Sequence, residues 1–405
     1  MSLAERVKIL SQLFLNEELT PDLADRLKRK LEKMKRLGLE ALMIWSKDTD
    51  NLGRLASICA REGVSPYLWY PMLADTPARF EAKDFQVVAA VESGRSQILE
   101  AQKAGGEEFA FLCPNRVGGE ERFLELFEET LDLADFAGVF FDRIRFPSPA
   151  NGLKEILTCV CDDCLERSGG VIKSLRGDLQ RLLKEPGKAV GVEAMPGILR
   201  ELFASIEEAI VFRTTSVSAL LADYARAARK RNLDIGIDLF PPSLARLVGQ
   251  DYTELSRHVD WIKPMIYCKT MGPAGLPMEL LSLAKILREL NGNISERDSL
   301  WVLEQLTGLD LPESFGELAS KGLTLDNYDR ELEKLESLDR GGAVRIYPGF
   351  EAVAFPPVCS VDPAIAGEYV RRTLNRGYRG FTLSWDIRQI PPANLEAVGD
   401  FLAGW

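Results

Sequence analysis

The sequence predicts an α/β protein of the (β/α)8 or TIM-barrel class, with helical insertions after the fourth and sixth strands. Three observations carry this expectation. About eight short apolar runs alternate with helical patterns along the chain, and repeated strand–helix alternation demands a parallel sheet. The 405 residues leave room for eight such units and their insertions. Neither GxGxxG nor GxxxxGK[ST] follows an early strand; the competing architecture, a doubly wound open sheet, would want such a turn to cradle phosphate. One barrel domain is expected over residues 1–405, with N-terminal helices in 1–38, an insertion over 147–232 and a helical insertion over 272–340.

Two helices are expected to open the chain. The second has Thr20 as its cap, Pro21 in the first turn, apolar Leu23, Leu27, Leu31 and Met34 on one face, and a stop at Gly38. Glu40 to Trp45 reads as a buried strand, Leu52 to Arg61 as a helix and Ser65 to Met72 as a strand. Phe85–Val91 and Phe109–Cys113 are short apolar runs. Glu120 to Ala134 repeats at the helical period. Gly138 to Asp142 is the expected fourth strand. A long helix is expected from about Met195 to Lys230, then strands over Leu233–Leu239 and Val259–Tyr267, and helices from Pro277 to Leu338. Ala343–Tyr347, a helix capped by Asp362 with Pro363 in its first turn and ending at Gly377, and Gly380–Trp385 complete the series.

Hydrophobic residues make up 46% and charged residues 27%, enough for a large core. Lys and Arg total 50 against 61 Asp and Glu, a formal charge of −11. An acidic chain lacks the cationic surface that grips phosphate backbones, so no nucleic-acid partner is expected. The Lys28-Arg29-Lys30 run reads as a solvated helix face. There is one histidine, His258, which rules out HExxH and histidine-rich metal sites. The helix that His258 ends assigns it a favourable place on the helix dipole. No run approaches the roughly 20 apolar residues of a membrane span, and the N-terminus lacks an apolar signal core. A cytoplasmic location is expected for the chain as it stands, with a previously removed leader left open. Oligomeric state is not legible.

In a barrel the carboxyl ends of the strands face the active site. Asp142 closes the fourth strand, where desolvation penalises it unless it is paired or used. Arg143 and Arg145 lie within reach, so a structural Asp–Arg pair is the competing reading. Asp238 ends the fifth strand, with a turn-capping role as its alternative. Lys263 and Tyr267 share a face of the sixth strand; Lys263 could form a buried salt bridge, hold a substrate hydroxyl or act as a base. Tyr347 and Glu351 share parity on the seventh, and Asp386 follows the eighth. Trp385 has the opposite parity to Ser384 and Asp386, and faces the lumen only if the alternation breaks. Glycoside hydrolysis requires two carboxyls astride the scissile bond, about 5 Å apart for retention and about 6.5–9.5 Å for inversion. Trp45, Trp69, Tyr267 and Tyr347 offer aromatic platforms for sugars.

The run Gly138-Val-Phe-Phe-Asp-Arg-Ile-Arg-Phe-Pro147 resembles the fourth-strand signature of glycoside-hydrolase-like barrels. Met265-Ile-Tyr267 and Ser384-Trp385-Asp386 are similar to the sixth and eighth strands of chitinase-like family 18 barrels. The resemblance implies a barrel acting on a poly- or oligosaccharide. The family 18 acid motif DxxDxDxE is not intact here: Ile144 or Arg145 stands where its glutamate would fall.

Asp142 and Glu351 are the expected acid/base and nucleophile or water-activating pair, in either order, with Asp238 and Asp386 in reserve. Arg145 would tune Asp142, Lys263 and Tyr267 would bind sugar hydroxyls or developing charge, and Trp385 would floor the pocket. The rival readings are a non-catalytic carbohydrate-binding barrel, a lyase or aldolase using Lys263 as a Schiff base, and a metal-dependent enzyme built on cysteines.

Seven cysteines in so long a chain do not read as a secreted disulfide framework. Cys159, Cys161 and Cys164, in CxCxxC spacing, can close around one structural zinc with a fourth ligand from elsewhere. Cys113 is the best candidate for that ligand, with Asp162 or Asp163 as alternatives. Free or locally bridged thiols, or a redox role, stay open. The resemblance implies a local structural staple. No cofactor is required for the expected chemistry.

Overall fold

The computed structural model describes residues 7–74, 82–90, 110–156, 158–174, 207–338 and 344–405. Its strands are β1 (Lys8–Phe14), β2 (Leu39–Trp45), β3 (Ser65–Pro71), β4 (Gly138–Asp142), β5 (Asp234–Leu239), β6 (Trp261–Pro264), β7 (Arg345–Ile346), β8 (Gly349–Glu351), the hairpin strands β9 (Ala354–Phe355) and β10 (Cys359–Ser360), and β11 (Gly380–Ser384). The main sheet runs β7-β6-β5-β4-β3-β2-β1-β11-β8, with parallel pairing throughout.

The two ends of that order are one stretch of chain. Arg345 and Ile346 pair with β6, and three residues later Gly349–Glu351 pair with β11. Met265 also bridges Gly349. The stretch 345–351 is therefore the seventh barrel strand, hydrogen-bonded to β6 at its start and to β11 at its end. It closes the sheet into the expected barrel.

β1 corrects the expectation of a helix at the start of the chain. Lys8-Ile-Leu-Ser-Gln-Leu-Phe lies between β2 and β11, and its polar Ser11 and Gln12 are as buried as its apolar residues. A strand buried on both faces shows no two-residue alternation, so its pattern does not separate it from a helix. Residues 1–6 of that expected helix lie outside the described residues. Among the described residues the runs around Phe85 and Cys113 are not barrel strands: Ala82–Phe85 is a 3-10 turn, followed by the isolated bridges Gln86–Leu112 and Ala89–Thr158. Val91 and Phe109 lie outside the described residues. These departures offset one another, so Gly138–Asp142 is the fourth strand as expected.

The helix signals hold where they are strongest. Thr20 caps Pro21–Arg36 through its side chain, and Asp362 caps Pro363–Asn375. The region after β4 carries Leu153–Ile156, Asp162–Arg167 and Glu207–Lys230; residues 195–206 of the expected long helix are not described. After β6 come Leu276–Leu290, Glu296–Thr307, Phe315–Lys321 and Leu325–Leu338. No helix among the described residues is long and apolar enough to cross a membrane.

Aromatic rings fill the lower lumen. Trp261 stacks on Phe140 at 5.2 Å and meets Tyr67 and Tyr347 edge-on. Glycines on neighbouring strands make the space, since a Cβ on Gly236 would lie 2.1 Å from the Trp261 ring. Above this layer sit Gln12, Lys263 and Ser384.

Candidate active site at the barrel mouth

A cleft of about 340 Å³ opens at the carboxyl ends of the strands. Its walls include Asp142, Asp238 and Asp386, the aromatic rings of Trp69, Tyr267 and Trp385, and Arg145.

Asp142 is held by two N–H donors. The Trp69 indole donates to Oδ2 at 2.8 Å and the Arg143 amide to Oδ1 at 2.5 Å. Arg143 has φ 52°, an uncommon region for a residue with a side chain, where the chain turns sharply out of β4. Of the two arginines read as within reach of Asp142, Arg143 brings its Nε to 4.0 Å from Oδ2, while Arg145 makes no direct contact. Arg145 donates to the Phe146 carbonyl at 3.0 Å and lies between the rings of Phe111 and Phe240, 4.5 and 4.6 Å from their centres. Burial pulls its guanidinium down to about 10, opposed by the charges of Glu279 and Asp142.

Asp238 sits deeper. Its Oδ2 accepts from Lys263 Nζ at 2.9 Å, while its Oδ1 is buried with no hydrogen-bond partner among the described residues. Burial pushes the carboxyl up to about 7 against the opposing pull of the Lys263 ammonium. Lys263 also donates to Gln12 Oε1 at 2.9 Å and bonds the Tyr267 hydroxyl at 2.8 Å. Lys263 is thus the buried salt-bridge lysine of the sequence alternatives, set behind Asp238 and outside the cleft wall. Burial raises the Tyr267 phenol well above its ordinary value.

Asp386 faces the cleft but is committed to Arg388, which grips it through Nε and Nη2 at 3.1 and 2.7 Å to Oδ2. Burial raises its carboxyl and Arg388 opposes the shift. Trp385 lines the cleft: β11 stops at Ser384, so the alternation that would turn the indole away ends one residue earlier.

Besides Lys263, three expected site residues are placed elsewhere. Glu351 is fully buried and absent from the cleft wall; its Oε1 accepts from the Lys269 amide, and burial pushes its carboxyl up to about 7. Tyr347 belongs to the lower lumen, packed on Trp261 at 5.8 Å. Trp45 meets Tyr70 edge-on at 6.5 Å, within the aromatic layer that Tyr70 shares with Phe127 and Tyr224 of the outer helices. Parity assigns a residue to a face of a strand, but not its height along the barrel or the side chain packed above it.

Several cleft residues had no place in the expectation. Gln12 and Phe14 lie on the strand read as a helix. Thr270 and Val358 come from loops and Phe355 from the two-residue strand β9, all too short or irregular to carry a period. Glu279 is buried without lining the cleft and takes hydrogen bonds from Ser148 Oγ and from the amides of Ala150 and Ala274, at 2.8, 2.9 and 2.8 Å. It ties the loops after β4 and β6 together. His258 is hydrogen-bonded to Ser218 at 3.1 Å, away from the mouth.

The cysteines converge as expected. Cys113, Cys159, Cys161 and Cys164 are buried, and their sulfurs all lie within 4.8 Å of one another, compatible with a structural zinc site. Cys113, and neither Asp162 nor Asp163, completes the set.

No family model matches the chain, and no curated protein matches it. Solved structures do. The PgaB (BpsB) glycoside hydrolase domain from Bordetella bronchiseptica aligns over 98% of this chain and 99% of its own, at a TM-score of 0.56 and 16% identity. The catalytic domain of β-amylase from Paenibacillus polymyxa aligns over 98% of both chains, at 0.54 and 11%. At such identities the likeness defines the fold: a TIM barrel of the kind seen in glycoside hydrolases.

Proposed function

We propose that the protein is a glycoside hydrolase acting on a poly- or oligosaccharide. One observation carries the reading: Asp142 and Asp238 face a single cleft whose walls also present Trp69 and Trp385. Paired carboxyls and flat aromatic surfaces are what glycosidic cleavage needs. The expected pair is revised, because Glu351 does not reach the cleft and Asp386 is committed to Arg388. Asp238, pushed up to about 7 by burial, serves as proton donor to the leaving oxygen. Asp142, oriented by two N–H donors, serves as nucleophile or water-activating base. The resemblance to glycoside-hydrolase barrels supports the same substrate class. In this reading the four cysteines hold a structural zinc and take no part in bond cleavage.

The test is release of reducing ends from a panel of α-glucans and N-acetylglucosamine oligomers. Asp142→Asn should lower turnover about 100- to 10,000-fold while circular dichroism stays unchanged. A wild type that binds one of these glycans yet cleaves none would establish the non-catalytic sugar-binding barrel instead.

A further inference from the structure

Arg213 lies on the helix Glu207–Lys230, far in sequence from any residue assigned to the cleft. Its guanidinium Nε and Nη2 are buried and have no hydrogen-bond partner among the described residues. One face of the group stacks on the Phe146 ring, 4.4 Å from its centre. A buried cation without a counter-charge is costly by several kcal/mol, so a chain that retains one has an anion for it. Among the described residues, the groups whose negative charge would act on Arg213 are Cys159 and Cys164. The placement of this helix face rests on geometry. Three residues further along the same helix, Ser216 Oγ accepts from Asn115 Nδ2 at 3.1 Å, and that amide also lies 3.3 Å from Cys164 Sγ. This helix face therefore fronts the cysteine cluster.

Two edges of the cluster are close to those of a zinc tetrathiolate, and all four sulfurs lie within 4.8 Å of one another. Zinc–sulfur bonds of about 2.3 Å set sulfur–sulfur edges of about 3.8 Å; Cys113 Sγ lies 3.7 Å from Cys161 Sγ and 3.5 Å from Cys164 Sγ. A disulfide would need about 2.0 Å. Two N–H groups already point at sulfur: the Val88 amide at 3.2 Å from Cys159 Sγ, and Asn115 Nδ2 at Cys164.

We propose that Cys113, Cys159, Cys161 and Cys164 hold zinc as a tetrathiolate and that Arg213 is the buried counter-ion of that centre. The inference rests on the zinc reading above and is independent of sugar cleavage. On binding, one Zn2+ replaces four thiol protons, which leave to solvent, so the centre carries a charge of 2 − 4 = −2. Arg213 offsets part of this charge from the buried side, and Arg116, which pairs with Asp163 at 3.2 Å, approaches from the partly exposed side. Zinc so held staples the segment before helix Pro114–Val117 to the chain after β4. Through the Arg213–Phe146 stack it also braces the turn that presents Asp142.

The experiment uses full-length protein purified under reducing conditions. Metal analysis should find one zinc per chain, and cobalt exchanged into it should show the visible bands of a tetrahedral thiolate site. Arg213→Met keeps the length and stacking of the side chain and removes its charge. Competition with a chromogenic chelator should then show zinc held roughly 10-fold or more weakly, the scale of lost outer partners at metal sites, with Arg213→Lys in between. Should Cys161→Ser fail to fold, chelator titration of the wild type still reports the site. Iron in place of zinc, or loss of four titratable thiols to two disulfides, overturns the zinc reading. One zinc per chain with Arg213→Met binding it as tightly as wild type leaves zinc standing and overturns the counter-ion.

Discussion

Glu351 and Asp238 are both carboxylates at strand ends, and burial pushes both up to about 7. What separates them is the neighbour each has. Asp238 shares a charged partner, Lys263, and fronts the cleft; Glu351 meets a backbone amide and keeps Oε2 buried without a partner among the described residues. Glu351 therefore titrates as a stability group. Its folded value lies above the unfolded 4.5, so the folded protein binds the proton more tightly. That contribution is complete below pH 4.5 and is lost as pH rises to about 7, on the order of 3 kcal/mol in all. Glu351→Gln mimics the protonated form and should flatten this loss. Urea denaturation at pH 5 and pH 8 checks it: the wild type should weaken across the interval by more than the variant. The sequence placed acids at strand ends correctly, since an aspartate after apolar residues is conspicuous, but it did not rank them. Asp386 next to Arg388 and Asp142 next to Trp69 differ only in which side chain lies beside them.

At the scale of the strand, the lumen works by pairing absence with bulk. β5 offers Gly236 where β6 offers Trp261, and β4 offers Gly138 where β3 offers Tyr67. The absence of Cβ atoms at these positions gives the rings their space. Gly236→Ala would put a methyl against the Trp261 ring, which is itself stacked on Phe140 and cannot retreat. The expected loss is about 1–3 kcal/mol, read as a lower urea midpoint at unchanged slope. Glycine in the run Asp234-Ile-Gly-Ile-Asp-Leu was visible from the start; its partner was not, because cross-strand neighbours lie 25 residues apart here, as for Gly236 and Trp261. The same limit hid β1, whose burial on both faces erased the two-residue period that marks a half-exposed strand.

Across the whole molecule, closure depends on contacts between the ends of the chain. β1 pairs with β11, setting Lys8 beside Gly380 and Ser11 beside Leu383. Inside the ring, Gln12 Oε1 accepts from Lys263 Nζ at 2.9 Å and from Ser384 Oγ at 3.2 Å, tying the first, sixth and last strands across the lumen. Gln12→Met preserves volume and removes the acceptor, leaving a buried ammonium with one partner fewer. The cost should be on the order of 1–3 kcal/mol by urea denaturation, with far-UV circular dichroism unchanged.

The sequence by itself determined the barrel class, the helix caps and the acids at the strand ends, and made Cys113 the first candidate to join the CxCxxC run. These follow from local period, local capping chemistry and the residue types that metal or sugar chemistry demands. Only the tertiary structure decided that Asp238 and not Glu351 lines the cleft with Asp142, that Trp45 and Tyr347 serve the core, that Lys263 is satisfied by Gln12 and Asp238, and that the guanidinium of Arg213 is buried against Phe146. Each of those outcomes is set by which distant side chain fills the adjoining space, and packing between segments tens to hundreds of residues apart leaves no periodic trace in either segment.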